Sequence, residues 1–168
     1  TITKGDLPDA MYTASVTNPA PADCVTSNTL TFAVVPPPKV LKVTPDIVCN
    51  AQSDVTLTIQ GTGFLGITDS SATSLPTVSI GTSDFTPTLS GCTTLDGLVA
   101  KVETCTELTI TVPQGTLTTG NHAIRVVNPK PGDCNSEEVV ELTEVEEDED
   151  PVLQRALEII RPAVEEAV

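Results

Sequence analysis

The sequence predicts an all-β protein, and three observations lead to this fold class. Thr, Val and Ser are abundant, whereas aromatic residues make up 2% and Trp is absent, so the core is expected to be aliphatic. The 14 Pro and 10 Gly supply turns between segments. In most segments apolar residues alternate with polar ones, which is the period of a strand with one buried face. β-branched side chains favour such half-buried strands.

The net charge excludes several kinds of partner. The chain of 168 residues carries 8 basic and 23 acidic side chains, for a formal charge of −15. This sign argues against phosphate contacts with nucleic acid and against binding to an anionic membrane surface. No apolar run reaches about 18 residues, so membrane insertion is not expected. The charge is uneven, because residues 137–168 hold 12 of the acidic side chains and only 2 basic ones.

The chain contains an internal repeat with a period of 110 residues. Shifted by 110 positions, residues 1–24 align without a gap on residues 111–134, and nine of the 24 positions are identical. This period is about the length of one β-sandwich domain. The identical residues of the first segment are Thr1, Gly5, Leu7, Val16, Asn18, Pro19, Pro21, Asp23 and Cys24.

The period divides the chain into five predicted parts. Residues 1–35 are expected to be the C-terminal part of a preceding repeat whose front half lies upstream. Residues 36–38, all Pro, form a stiff linker, and residues 39–145 form one complete repeat. The acidic run 146–150 stands where the next linker is expected, and residues 151–168 follow as a short amphipathic α-helix.

Period-two alternation predicts seven strands in the complete repeat. Two strands are expected in the partial repeat, at Tyr12–Val16 and Leu30–Val34. Turns are predicted at Gly61-Thr62-Gly63 and at Thr104-Cys105-Thr106. The seven predicted strands include Leu41–Val43, Val55–Ile59, Val78–Ile80, Leu98–Val102, Leu108–Val112, His122–Val126 and Val140–Leu142.

The C-terminal segment has a different pattern. Asp150 before Pro151 is typical of a helix start, and apolar residues then follow helical spacing from Leu153 to Ala167. Pro162 should kink this helix. Its apolar stripe is expected to dock on its own sandwich or to open a further domain, and the alternative is self-association or capture of a partner. The acidic run before it is predicted to be a solvated hinge, with a calcium-binding linker as the alternative.

Several segments, taken in order, resemble one known family. Gly61-Thr62-Gly63-Phe64 and Val126-Val127-Asn128-Pro129 are the more specific of them. In this order they resemble the IPT/TIG domain, an immunoglobulin-like β-sandwich, over residues 39–145, and residues 1–35 resemble the last strands of a second copy. The other matching segments are Val43-Thr44-Pro45, Val55–Gln60, Val78-Ser79-Ile80-Gly81, Leu108–Pro113, Gly120 and Ile124-Arg125.

The cysteines indicate an oxidising, extracellular or cell-surface setting. Five Cys accompany one His and one Met, and no CxxC spacing is present, so disulfides are favoured over a zinc site. Alternating strand direction favours Cys49 with Cys92 and Cys105 with Cys134. The alternative joins Cys92 to Cys105 and leaves Cys49 for Cys134. Cys24 is expected to be unpaired or intermolecular, since its partner would lie in the missing half-repeat.

No pattern in the sequence supports catalysis, so an enzyme is not expected. His122 falls on the core face of a strand, where an amphipathic ring with its polar edge at the rim is predicted. Gly61-Thr62-Gly63 lacks the Lys and the helix of a phosphate loop. No cofactor and no metal site are predicted.

The resemblance implies a binding or spacer module. The leading hypothesis is a non-catalytic structural or adhesive module of a larger extracellular or surface protein, with neighbouring immunoglobulin-like repeats or other copies of the protein as partners. A filament completed in trans by another chain is an extension of it. The alternative is a carbohydrate- or ligand-binding module. Phe85 is the candidate aromatic for a glycan, because Phe32 and Phe64 are expected to be buried.

Overall fold

The structure, a computed structural model, describes residues 6–49, 53–136 and 140–145. These residues form thirteen strands, so the all-β prediction is confirmed for them. No helix long and apolar enough to cross a membrane occurs among them. The predicted acidic linker 146–150 and helix 151–168 lie outside the described residues. The strands are β1 (Ala10–Ala14), β2 (Leu30–Val34), β3 (Lys39–Thr44), β4 (Ile47–Cys49), β5 (Val55–Thr68), β6 (Thr73–Ser74), β7 (Thr77–Ile80), β8 (Ser83–Phe85), β9 (Thr88–Ser90), β10 (Thr93–Leu95), β11 (Lys101–Val112), β12 (Gly120–Val127) and β13 (Val140–Val145).

The strands form three sheets, two of which share one core. One large sheet has the order β10-β11-β5-β3, with β6 and β9 paired at its margins, and the other has the order β4-β13-β12-β7-β8. Side chains from both contribute to a single hydrophobic cluster, an arrangement consistent with a β-sandwich. The third sheet contains only β1 and β2.

The core follows from the period-two pattern. Leu57 and Ile59 of β5 and Leu108 and Ile110 of β11 are buried, while the residues between them are less so. Burying each such aliphatic side chain stabilises the fold by roughly 1.5–3 kcal/mol. Phe64 is the largest fully buried side chain, as the sequence predicts.

The turn predicted at Gly61-Thr62-Gly63 is wrong, because β5 continues through it. Gly61 pairs with Val40 of β3, and a Cβ on Gly61 would lie 2.0 Å from the carbonyl oxygen of Lys39. Gly63 has a φ of +73° and lies against the backbone of Pro36–Pro38. These glycines therefore permit close backbone approach rather than chain reversal.

The turn predicted at Thr104-Cys105-Thr106 is also wrong. β11 runs without interruption from Lys101 to Val112, and its register against β5 shifts between Cys105 and Glu107. The irregularity is a bulge, which bends a strand without ending it. Between β7 and β11, the short strands β9 and β10 pair with β11. Cys105 consequently lies in mid-strand.

The hairpin β1–β2 precedes the sandwich and is joined to it by the three prolines. Pro38 is fully buried, so the segment 36–38 ends packed against the sandwich. Two clefts separate the hairpin from the sandwich, and Ala33 and Val35 face Leu65 across them.

Candidate functional site

The hairpin β1–β2 has the same residue-to-residue pairing register as the hairpin β12–β13. All five residue pairs of β1 and β2 recur 110 positions later. Tyr12 pairs with Phe32, for example, and His122 pairs with Leu142. We call β12–β13 the back half of the complete repeat and residues 39–112, which carry β3 to β11, its front half. The remaining pairs are Ala10–Val34 and Gly120–Glu144, Met11–Ala33 and Asn121–Thr143, Thr13–Thr31 and Ala123–Glu141, and Ala14–Leu30 and Ile124–Val140.

The connections inside the two hairpins are equivalent as well. Both contain a cis peptide bond before the second Pro and an Asp with positive φ, 45° at Asp23 and 44° at Asp133. Asp tolerates this left-handed conformation better than most residues. The same backbone hydrogen bonds close both loops. They are Asn18 N to Cys24 O (2.8 Å), Asn128 N to Cys134 O (2.9 Å), Thr26 N to Val16 O (2.8 Å) and Ser136 N to Val126 O (2.8 Å).

A ring at the same position makes the same bond in each hairpin. The Tyr12 hydroxyl donates to the carbonyl oxygen of Pro8 (2.9 Å), and His122 Nε2 bonds the carbonyl oxygen of Thr118. Because a carbonyl can only accept, Nε2 of His122 carries the proton. The His122 side chain is 15% exposed, so the predicted core ring with a polar edge at the rim is confirmed.

The two hairpins differ in what surrounds them. β13 pairs along its outer edge with β4, and β12 pairs with β7. Among the described residues, β1 and β2 pair only with each other. Leu142 and Val126 are completely buried, but their equivalents Phe32 and Val16 are 37% and 62% exposed. The same secondary structure is thus covered in one copy and bare in the other.

The uncovered residues form a continuous apolar surface. Tyr12 and Phe32 stack with ring centroids 5.5 Å apart, and Leu30 and Val16 are exposed beside them. We call these four residues the exposed hairpin face. The expectation that Phe32 is buried is wrong, because no described strand packs over it as the front half packs over Leu142. Phe85, the predicted aromatic candidate, is partly buried and packs against the core.

The side chain of Asn128 hydrogen-bonds the back half of the complete repeat to its front half. Its Oδ1 accepts from the backbone N–H of Leu65 (3.0 Å), and its Nδ2 donates to the carbonyl oxygen of Gly63 (2.8 Å). The side chain is 1% exposed, whereas its equivalent Asn18 is exposed. From the sequence, this Asn was expected only to belong to the segment Val126-Val127-Asn128-Pro129. Its identity in both copies was the available signal for the larger role.

Glu144 is a buried carboxylate where the repeat has Val34. It is 4% exposed, and its Oε2 has no hydrogen-bond partner. The ring of His122 lies beside it, with Nε2 3.8 Å from Oε2. Glu144 also borders a small cavity of about 20 Å³ lined by Cys49 and Leu117. Burying a carboxylate with so few partners costs free energy.

One disulfide joins Cys92 to Cys105. The preferred pairing of Cys49 with Cys92 and Cys105 with Cys134 is therefore wrong, and the reason is the continuity of β11. In that pairing, Cys105 was expected in a loop at one end of the sandwich. Instead Cys105 lies within β11, one step beyond the pair Thr93–Thr104 that joins β10 to β11.

The other three cysteines are free thiols in the structure. Cys49 pairs with Val145 at the end of β13, while Cys134 lies beyond the opposite end of β12. At a rise of about 3.3 Å per residue, roughly 25 Å separates them, far beyond the 7 Å limit between Cα atoms for a disulfide. The alternative Cys49–Cys134 bridge is therefore excluded as well. Cys24 is exposed and free in the structure, and its expected unpaired or intermolecular state stays a prediction.

Carboxylates elsewhere have local roles. Asp69 accepts hydrogen bonds through Oδ1 from the N–H and hydroxyl of Ser71 and from the N–H of Ala72, closing the loop after β5. The backbone bond from Ser71, followed by its hydroxyl, lowers the pKa of Asp69. No group of three or more His, Cys, Asp or Glu side chains suited to a metal occurs in the ranges 6–49, 53–136 and 140–145. The calcium alternative at 146–150 falls outside these ranges.

Comparison with known proteins adds no relative. No family model, curated protein or solved structure matches the chain. The described residues instead show an exposed apolar face on the hairpin β1–β2, whose two outer strand edges are unpaired. In the complete repeat, the equivalent hairpin is hydrogen-bonded to the front half through Asn128. Its interpretation therefore rests on the internal repeat.

Proposed function

We propose that this chain is a non-catalytic structural segment of a larger extracellular or cell-surface protein in which IPT/TIG-like, immunoglobulin-like repeats follow one another in series. It acts as a spacer or protein-interaction segment, and its partners are the neighbouring repeats. One observation carries the proposal: pairing register, loop bonds and ring contacts recur at an offset of 110 residues. Recurrence of this kind is the signature of a repeat architecture.

The cysteine chemistry and the linker support this proposal. A disulfide between Cys92 and Cys105 indicates an oxidising environment, which is typical of extracellular proteins. The linker from β2 to β3 is short and rich in Pro. Because Gly63 has no side chain, the linker backbone can pack closely against β5. A packed proline linker limits the angles between successive repeats, as a spacer requires.

Scattering from chains of defined repeat number tests the spacer role. Proteins with one, two and three copies of residues 36–145 in series are compared by small-angle X-ray scattering. The longest strand, β5, has 14 residues and spans about 45 Å, so each added copy should lengthen the particle by a constant increment of that order. A control with Pro36–Pro38 replaced by Gly should give shorter and more variable particles. Compact particles whose length does not grow with copy number would contradict the proposal.

The exposed aromatic pair Tyr12–Phe32 is the observation that favours carbohydrate binding instead. Stacked rings on a surface can hold a sugar, and the pair is more accessible than Phe85. A glycan array with the full chain and its Phe32→Ala variant separates the two functions, with Phe85→Ala as the control. The spacer proposal predicts no retained glycan. Retention that Phe32→Ala abolishes and Phe85→Ala preserves would favour the binding module.

A further inference from the structure

We propose that the exposed hairpin face is the docking surface for the front half of an IPT/TIG-like repeat, joined in cis ahead of Thr1. This inference rests on the proposed serial architecture and names the partner that this surface takes. The partner is a set of strands with an aliphatic inner face, equivalent to β3 through β11. Together with β1 and β2 it completes a second sandwich.

The complete repeat shows what covers this surface. Leu142 and Val126 are buried in one cluster with Leu57, Ile59 and Ile110 of the front half. Phe32 and Val16 occupy the same positions on β2 and β1, with the same register between the strands. A partner with an aliphatic inner face would therefore bury both side chains.

The bare strand edges specify where the partner pairs. In the complete repeat β4 lies parallel to β13 at Thr143–Val145, and β7 lies antiparallel to β12 at Ile124–Val127. The offset of 110 maps these edges onto residues 33–35 and 14–17. Main-chain hydrogen bonds along both edges would add to the apolar contact, as in strand addition generally.

The asparagine that links the two halves of the complete repeat is present in both hairpins. Asn128 bonds the backbone at Gly63 and Leu65, which lie in the front half. Asn18 occupies the same place in a loop with the same backbone bonds, but it is exposed. The geometry assigns it the equivalent backbone groups of the docked front half.

The residues before β1 favour a partner in cis over a second copy. In the complete repeat, residues 113–119 connect β11 to β12, and Leu117 of this connection is buried in the core. Residues 1–9 repeat the sequence 111–119 at Thr1, Gly5 and Leu7. The chain thus carries the connection that leads from a front half into the hairpin. Moreover, its own front half is already occupied by β12 and β13.

The test is a fusion protein in which a front half precedes the hairpin at the position given by the 110-residue offset. Because Thr1 is equivalent to Thr111, residues 39–110 of this chain are fused directly ahead of Thr1 of the full chain. Amide hydrogen exchange is measured at Asn18 and Thr26 in the fusion and in the chain alone. We expect at least a 100-fold gain in protection at both amides in the fusion.

Matched variants report on the contact itself. Phe32→Asp should lower the midpoint of thermal unfolding of the first repeat by more than 5 °C in the fusion and leave the chain alone within 1 °C. Leu41→Asp in the full-chain part, at a side chain 59% exposed and outside the mapped surface, should change neither protein. Asn18→Ala serves as a second, milder variant in case Phe32→Asp prevents docking altogether, and it should lower protection at Thr26 in the fusion only.

Two outcomes would overturn the assignment. Unchanged exchange at Asn18 and Thr26 in the fusion would show that the face does not accept a front half. Protection that appears in the chain alone and rises with concentration, with a dimer in sedimentation, would show that a second copy is the occupant. Neither outcome bears on the scattering test of the spacer role, which uses residues 36–145 without this hairpin, so the two proposals fail separately.

Discussion

Asn128 and Asn18 are the same residue in the same loop, and only their surroundings differ. Asn128 satisfies two backbone groups of β5, the N–H of Leu65 and the carbonyl of Gly63, in a region where Leu65 is buried. A buried backbone group that loses its partner costs about 1–3 kcal/mol. The contribution of this side chain therefore depends on whether a front half is present.

We predict that Asn128→Ala lowers the free energy of unfolding by about 2–3 kcal/mol, because it leaves the N–H of Leu65 unpaired in the interior. Asn18→Ala is the matched control and should change it by less than about 0.5 kcal/mol, as is usual for exposed positions. Urea unfolding of both variants measures the difference. Equal losses at the two positions would contradict the assigned roles.

Glu144 is the residue at which the complete repeat departs most from the hairpin. Val34 fills the equivalent position, and the buried carboxylate oxygen Oε2 of Glu144 lacks a hydrogen-bond partner. Replacing a buried, poorly paired charge by an apolar side chain is often stabilising. The sequence showed the departure but not its setting, since the contact with His122 depends on how the start of β12 aligns with the end of β13.

We predict that Glu144→Val raises the free energy of unfolding at neutral pH by about 1 kcal/mol, because the desolvated carboxylate is removed and the site becomes that of the hairpin. Glu141→Val, on the exposed side of the same strand, is the control and should stay within about 0.5 kcal/mol. Chemical unfolding at pH 7 compares them. A loss of more than 1 kcal/mol in Glu144→Val would show that the pair with His122 is stabilising.

At the scale of elements, the alternation of apolar and polar residues predicted segments of the long strands β5 and β11. It did not predict that β5 continues through Gly61 and Gly63 or that β11 contains a bulge. The strands predicted at Val55–Ile59 and Leu108–Val112 are correct, because each strand buries one face in a shared core. Gly61 and Gly63 suggested a turn, but the requirement they meet is a close approach by β3 and the three prolines. Such an approach depends on segments about 20 residues away and leaves no local pattern. The short strands β8 to β10 were missed because each has only three residues.

The Cys92–Cys105 disulfide ties the margin β10 to β11. Its loop is short, with a sequence separation of 13, so the chain-entropy model gives about 3 kcal/mol of stabilisation. We predict that Cys92→Ala with Cys105→Ala lowers the free energy of unfolding by about that amount. Reductant should lower the stability of the native chain similarly and leave the double variant unchanged. A reductant effect of equal size in the double variant would contradict the pairing.

The two hairpins are one element in two environments, and truncation should distinguish them. Leu142→Ala removes a fully buried side chain and should cost about 2–5 kcal/mol. Phe32→Ala, at the equivalent position, should cost under about 1 kcal/mol, because Phe32 already lies against solvent. Thermal unfolding of both variants measures this contrast. A cost at Phe32 as large as that at Leu142 would show that Phe32 is already covered in this chain and would contradict the account.

At the scale of the whole molecule, the chain combines a covered hairpin with an uncovered one. The 110-residue period was visible in the sequence because turn residues such as Asn18, Pro19 and Asp23 recur. Which residues would be exposed was harder to predict, since Phe32 has the alternation pattern of a core residue but is 37% exposed. The cysteine pairing failed at this scale too, because it assumed a chain reversal at Cys105, where β11 continues.

Amide hydrogen exchange at matched positions of the native chain tests the central claim most directly. The amides of Asn18 and Asn128, and those of Thr26 and Ser136, make equivalent hydrogen bonds of 2.8–2.9 Å in equivalent loops. Differences in their exchange therefore report the surrounding structure. The account predicts that Asn128 and Ser136 exchange only through global unfolding, and that Asn18 and Thr26 exchange at least 100-fold faster. Equal protection at both pairs would place residues 6–35 in the same cooperative unit as the sandwich and would contradict the account.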